Sequence, residues 1–76
     1  MRLTGLARNR LRLYHLTGAD VVGAVRQGKI IAADVAGKFY AWRQNGDRWL
    51  RVTYFEDSRG VKILTVAMFE TGPPDE

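Results

Sequence analysis

The side chains able to carry chemistry in this chain of 76 residues are few in kind, with one histidine, His15, one serine, Ser58, and no cysteine. Without thiols there is no disulfide, no zinc–thiolate centre and no cysteine nucleophile, and a single imidazole does not make a histidine metal site. A Ser–His–Asp arrangement would need Ser58, which falls in an expected turn, so that kind of nucleophilic catalysis has no support. The carboxylates Glu56-Asp57 share the same turn and read as solvated groups rather than an acid–base pair. The glycines, at 5, 18, 23, 28, 37, 46, 60 and 72, do not form a phosphate-binding loop. Neither a metal nor an organic cofactor is therefore expected.

What remains is positive charge interleaved with aromatic rings. Tyr40, Trp42 and Trp49 lie among Arg43, Arg48 and Arg51, a combination suited to single-stranded RNA, whose bases stack on rings while guanidinium groups meet phosphates. Residues 1–55 carry ten basic side chains against three acidic, or +7, and residues 56–76 carry two against five, or −3, within a net charge of +4. Nine of the twelve cations are arginine, whose planar, bidentate head suits phosphate better than a point charge does. RNA is the partner this pattern points to. A solvated basic surface accounts for the same charge, and an aromatic sheet face used for homodimerisation or for packing the helices accounts for the same rings. No apolar run approaches the ~20 residues of a membrane-spanning helix and no signal-peptide core opens the chain, so no membrane partner and a cytoplasmic location are expected.

The elements that position these residues follow from periodicity. Over Leu3–Tyr14, a spacing of 100° per residue gathers Leu13, Leu6, Leu3, Tyr14, Ala7 and Leu11 into one arc, an amphipathic helix with Arg8 and Arg12 on its wet side. Arg10 falls inside that arc, where a charge must be paired or reach an opening. A second helix is expected over Gly18–Gln27, capped by Thr17 with Asp20 three residues on and closed by Gly28. His15 lies in the connection between the two. From Lys29 the pattern becomes that of strands, Ile30–Val35, Phe39–Gln44, Arg48–Phe55 and Val61–Phe69, joined in an antiparallel meander. The expected class is α+β, two N-terminal helices on one face of a four-stranded antiparallel sheet, with room for a short N-terminal strand. Residues 1–70 form the one domain, and the Pro- and acid-containing tail, residues 71–76, is expected to be disordered.

Asn45-Gly46 is the strongest hairpin signal, since both residues tolerate the positive φ of a type I′ turn. That register sets Trp42 opposite Trp49 and Tyr40 opposite Arg51. One face then carries Phe39, Ala41, Leu50, Val52 and Tyr54, and the other Tyr40, Trp42, Trp49, Arg51, Thr53 and Phe55. A three-residue loop through Asp47 is the alternative; it pairs Trp42 with Leu50 and buries the indole.

Four segments also resemble a family of short bacterial proteins grouped with the BrnT and RelE-like toxins. They are Leu3-Thr4-Gly5-Leu6-Ala7-Arg8-Asn9-Arg10, Leu16-Thr17-Gly18-Ala19-Asp20-Val21, Trp49-Leu50-Arg51-Val52 and Ile63-Leu64-Thr65-Val66. Arg10 matches the family's helix arginine, whereas Leu6 stands where the family has histidine and Tyr14 where it has a second arginine. The resemblance implies a RelE/BrnT-like fold, an antitoxin-like protein partner and metal-independent ribonuclease activity, in which a 2′-hydroxyl attacks the adjacent phosphate. Under that reading Arg10 and Arg51 stabilise charge and Tyr40 donates a proton, while Arg10, Tyr40, Trp42, Arg43, Trp49 and Arg51 hold the RNA.

Overall fold

The computed structural model describes residues 1–74 of the chain; of the tail expected to be disordered, residues 75 and 76 lie outside the described residues. The chain runs β1 (Arg2–Leu3), α1 (Gly5–Leu13), α2 (Gly18–Gln27), β2 (Lys29–Ala32), β3 (Lys38–Asn45), β4 (Arg48–Asp57) and β5 (Gly60–Phe69). The α+β class and the two helices are as expected, except that α1 begins only at Gly5, because Leu3, expected at its start, is paired into β1. Strands β2–β5 pair antiparallel in chain order, and the short N-terminal strand for which the sequence left room is present as β1; because β1 pairs parallel with β5, the sheet is five-stranded and mixed, in the order β1-β5-β4-β3-β2, rather than four-stranded and antiparallel throughout.

Thr4 makes that parallel contact possible. Its amide donates to the Ile63 carbonyl at 3.1 Å, and its hydroxyl donates to the Leu64 carbonyl at 2.7 Å while accepting from the Ala7 amide to cap α1. Leu64 is the extra residue of a bulge, since Thr53 opposes Thr65 but Tyr54 opposes Ile63; the Thr4 hydroxyl takes a carbonyl at the place where the regular ladder is interrupted.

α1 ends on His15. The His15 amide donates to the Arg12 carbonyl and the Leu16 amide to the Leu11 carbonyl, with His15 at φ 55°. This is a Schellman stop, with histidine in the left-handed position where glycine is usual. α2 begins with the capping box that Thr17 and Asp20 suggest, each side chain bonded to the other's amide. It closes on Gly28, which has an ordinary φ of −80°. Glycine is needed there for room: a Cβ would stand 2.5 Å from both the Ala24 and Trp42 carbonyl oxygens.

Both helices cover one face of the sheet. Ala7, Val21 and Ala24 pack on Ala41, Leu50, Val52, Tyr54, Ile63 and Val66, all buried. The expected apolar arc of α1 is rotated, however. Ala7 faces the sheet and Leu11 packs at the core margin, while Leu6 and Leu13 are 53% and 63% exposed. Alanine lets α1 approach β5 closely, and the bulkier leucines at the edge of the arc are left outside.

The β3–β4 turn also differs from expectation. Asn45 opposes Arg48, so the two turn residues are Gly46 and Asp47, with Gly46 at φ 66°, a turn with glycine at its first central position as in type II′. Trp42 therefore opposes Arg51 rather than Trp49, and Tyr40 opposes Thr53 rather than Arg51. The slip is two residues, so each side chain keeps its expected face.

Candidate nucleic-acid interface

The sheet face away from the helices is set out in transverse rows by the strand register. Lys29, Trp42, Arg51 and Ala67 form one row, and Ile31, Tyr40, Thr53 and Thr65 the next. Trp49 with Gln44 and Phe69 lies on one side of these, and Lys38, Phe55, Lys62 and Arg2 on the other. Among the described strand residues, alternation thus brings Arg2, Lys29, Lys38, Arg51 and Lys62 to one face with a single carboxylate, Asp57.

Arg51 occupies the centre. Its guanidinium carbon lies 4.8 Å from the Phe69 ring centre, 5.0 Å from that of Tyr40 and 5.8 Å from that of Trp42. Such contacts stabilise a cation through the negative ring faces. Its Nε is buried with no hydrogen-bond partner, so the rings hold the cation without hydrogen-bonding that atom. Trp42 packs on Phe69 at 5.3 Å and is only 8% exposed. It is the floor of the cage and cannot offer a ring face to a base. Tyr40, Trp49, Phe55 and Phe69 are half-buried and retain accessible ring surface, although Gly72, in the segment after β5, lies against the Trp49 indole.

The six residues expected to hold RNA do not form one platform. Tyr40, Trp42, Trp49 and Arg51 share the open face. Arg43 alternates onto the helix side, where its Nη1 occupies the space that a Cβ on Gly23 of α2 would need. Arg10 lies on α1, also on the helix side, half-buried as its place in the arc requires, with Nη1 donating to the Tyr14 hydroxyl at a long 3.4 Å. The expected catalytic set of Arg10, Arg51 and Tyr40 is divided in the same way, so those three side chains do not converge on one phosphate. Sequence reasoning missed Phe69, because the Leu64 bulge breaks the alternation of β5, and it missed the lysines. Lys38 is two residues from Tyr40, and that shared parity was the available signal.

A second concavity, on the helix side, is lined by Tyr14, His15, Asp20 and Arg48. Asp47 lines it as well. Asp20 Oδ2 is already held by the Thr17 amide and hydroxyl at 2.8 and 3.1 Å, and His15 serves as the helix stop. Among the described residues no group of three or more histidine, cysteine or acidic side chains could hold a metal ion, and no helix is long and apolar enough to cross a membrane. Compared with protein-family models, with curated proteins and with solved structures, the chain matches none.

Proposed function

We propose that this is a toxin-like RNA-binding protein that takes a single strand across the open face of its sheet. The observation that carries the reading is the composition of that face, where the described strand residues set five cations against one carboxylate, between half-buried aromatic rings. Phosphates spaced along a strand find cations in alternate rows, Lys29 with Arg51 in one and Lys38, Lys62 and Arg2 in another, and the Tyr40 ring lies in the row between them. The resemblance of four short segments, Leu3–Arg10, Leu16–Val21, Trp49–Val52 and Ile63–Val66, to RelE/BrnT-like proteins supports the same ligand class. Binding is the activity the arrangement supports, since Arg10 lies across the sheet from Tyr40 and Arg51. A homodimer through this face is disfavoured by its charge, because an isologous contact would bring both sets of five cations together.

Fluorescence anisotropy with a labelled single-stranded RNA tests the proposal. If three or four phosphates are neutralised, log K should fall against log salt with a slope of about −2 to −3. Lys38→Gln and Lys62→Gln should weaken binding and flatten that slope, whereas Arg10→Gln and Arg43→Gln, on the helix side, should leave both unchanged. Equal losses from the two pairs, or no binding together with a stable dimer in solution, would overturn the proposal.

A further inference from the structure

We infer that the cavity where the open face meets the β4–β5 hairpin is a subsite for the terminal phosphate monoester of a bound strand, an inference resting on the RNA-binding reading. The cavity, about 300 Å³, is lined by Arg2, Arg59 and Lys62 with Phe55, Asp57 and Gly60. Its cations come from three places in the chain that the register brings together. Arg2 of β1 is the direct partner of Lys62 on β5, and Lys62 is opposite Phe55 on β4. Asp57 opposes Gly60, so the turn between them is only Ser58-Arg59, and it returns Arg59 to the cavity mouth.

Charge selects the ligand. Among the described residues Asp57 is the one carboxylate of the lining, and its Oδ1 already accepts the Arg59 amide at 2.8 Å. Even with Asp57 counted in full, three cations less one carboxylate leave +2. A phosphate monoester carries about −1.5 to −2 at pH 7 and three acceptor oxygens, which balances this lining, whereas an internal phosphodiester brings a single charge. Position selects the same group. The row Lys38, Phe55, Lys62, Arg2 leads to the cavity, and past the turn the sheet offers no further row for a strand to cross. A strand therefore ends here, with its last base beside the Phe55 ring and its terminal phosphate among the three cations.

The test compares one RNA octamer with a 5′-phosphate, a 3′-phosphate, or hydroxyls at both ends, titrated at low salt into the wild type and the Arg59→Gln and Arg59→Lys variants. Arg59 lies in the turn rather than on the open face, so thermal melting and affinity for the hydroxyl-ended strand should be the same in all three proteins. One phosphorylated form should bind the wild type about tenfold more tightly than the hydroxyl-ended strand, a charge-assisted gain. Arg59→Gln should cut that gain to about twofold or less, and Arg59→Lys, which keeps the charge, should retain most of it. Equal binding of all three strands, or a gain that survives Arg59→Gln, overturns the subsite while leaving the open-face reading intact. If no strand binds, the open-face reading falls. Titration with adenosine monophosphate then decides the cavity: shifts of the Gly60 and Lys62 amide resonances support a phosphate monoester site, and their absence overturns it.

Discussion

His15→Gly should make the protein more stable. His15 is the residue after the α1 C-cap, at φ 55°, with the Leu16 amide donating back to the Leu11 carbonyl. A side chain in the left-handed region costs ~1–2 kcal/mol. Glycine removes that cost but loses ~0.5–1 kcal/mol of extra backbone freedom on folding, which leaves ~0.5–1 kcal/mol in its favour. The imidazole is exposed, so little buried area is given up. At about 4–8 °C per kcal/mol for a domain of this size, the melting temperature should rise by about 2–8 °C. His15→Ala is the control, because it removes the imidazole and keeps the strained Cβ; it should gain nothing. Thermal melting by circular dichroism, with urea unfolding as a second measure, reads both variants. A fall in stability for His15→Gly equal to that for His15→Ala would refute the reasoning, since it would show that the imidazole contributes a stabilising contact larger than the strain.

Two other substitutions examine the fold by different physics. Gly28→Ala would ordinarily stabilise a chain at φ −80° by restricting its unfolded state, but the new Cβ would meet two carbonyl oxygens at 2.5 Å. A loss of about 1–3 kcal/mol in urea unfolding is expected, and any gain would contradict the close approach of α2 to β3. Tyr54 supplies a pH dependence. Burial, and secondarily the Glu56 carboxylate, raise its phenol above the ordinary 10.0, so the fold favours the neutral form. Below about pH 10 both folded and unfolded chains hold the proton; above it the unfolded chain releases a proton that the folded one retains, and stability falls as pH rises toward the folded value. Tyr54→Phe should flatten that decline between pH 9 and pH 11, and an unchanged slope would remove Tyr54 as its source.

Local chemistry was legible in the sequence where neighbours in the chain decide the outcome. The Thr17–Asp20 capping box involves residues three apart, and β alternation set Trp42 and Trp49 on the same face despite the two-residue slip, because a period of two is preserved by an even shift. Tertiary structure decided what depends on distant partners. β1 has two residues, too few for any periodicity, and exists through pairing with β5 some sixty positions away, anchored by Thr4 on Leu64. A helical wheel placed Leu6, Ala7, Arg10, Leu11 and Leu13 in one arc, but which part of the arc meets the sheet depends on how closely α1 can approach β5, and Ala7 permits the closest contact. The same docking put Arg10 and Arg43 among the helices and left Tyr40, Trp42, Trp49 and Arg51 across the sheet. Residue type made all six eligible to meet RNA, and alternation along β3 and β4 already separated Arg43 from Tyr40, Trp42, Trp49 and Arg51; packing between elements far apart in the chain decided that the helices cover the Arg43 face and that Arg10 emerges there too.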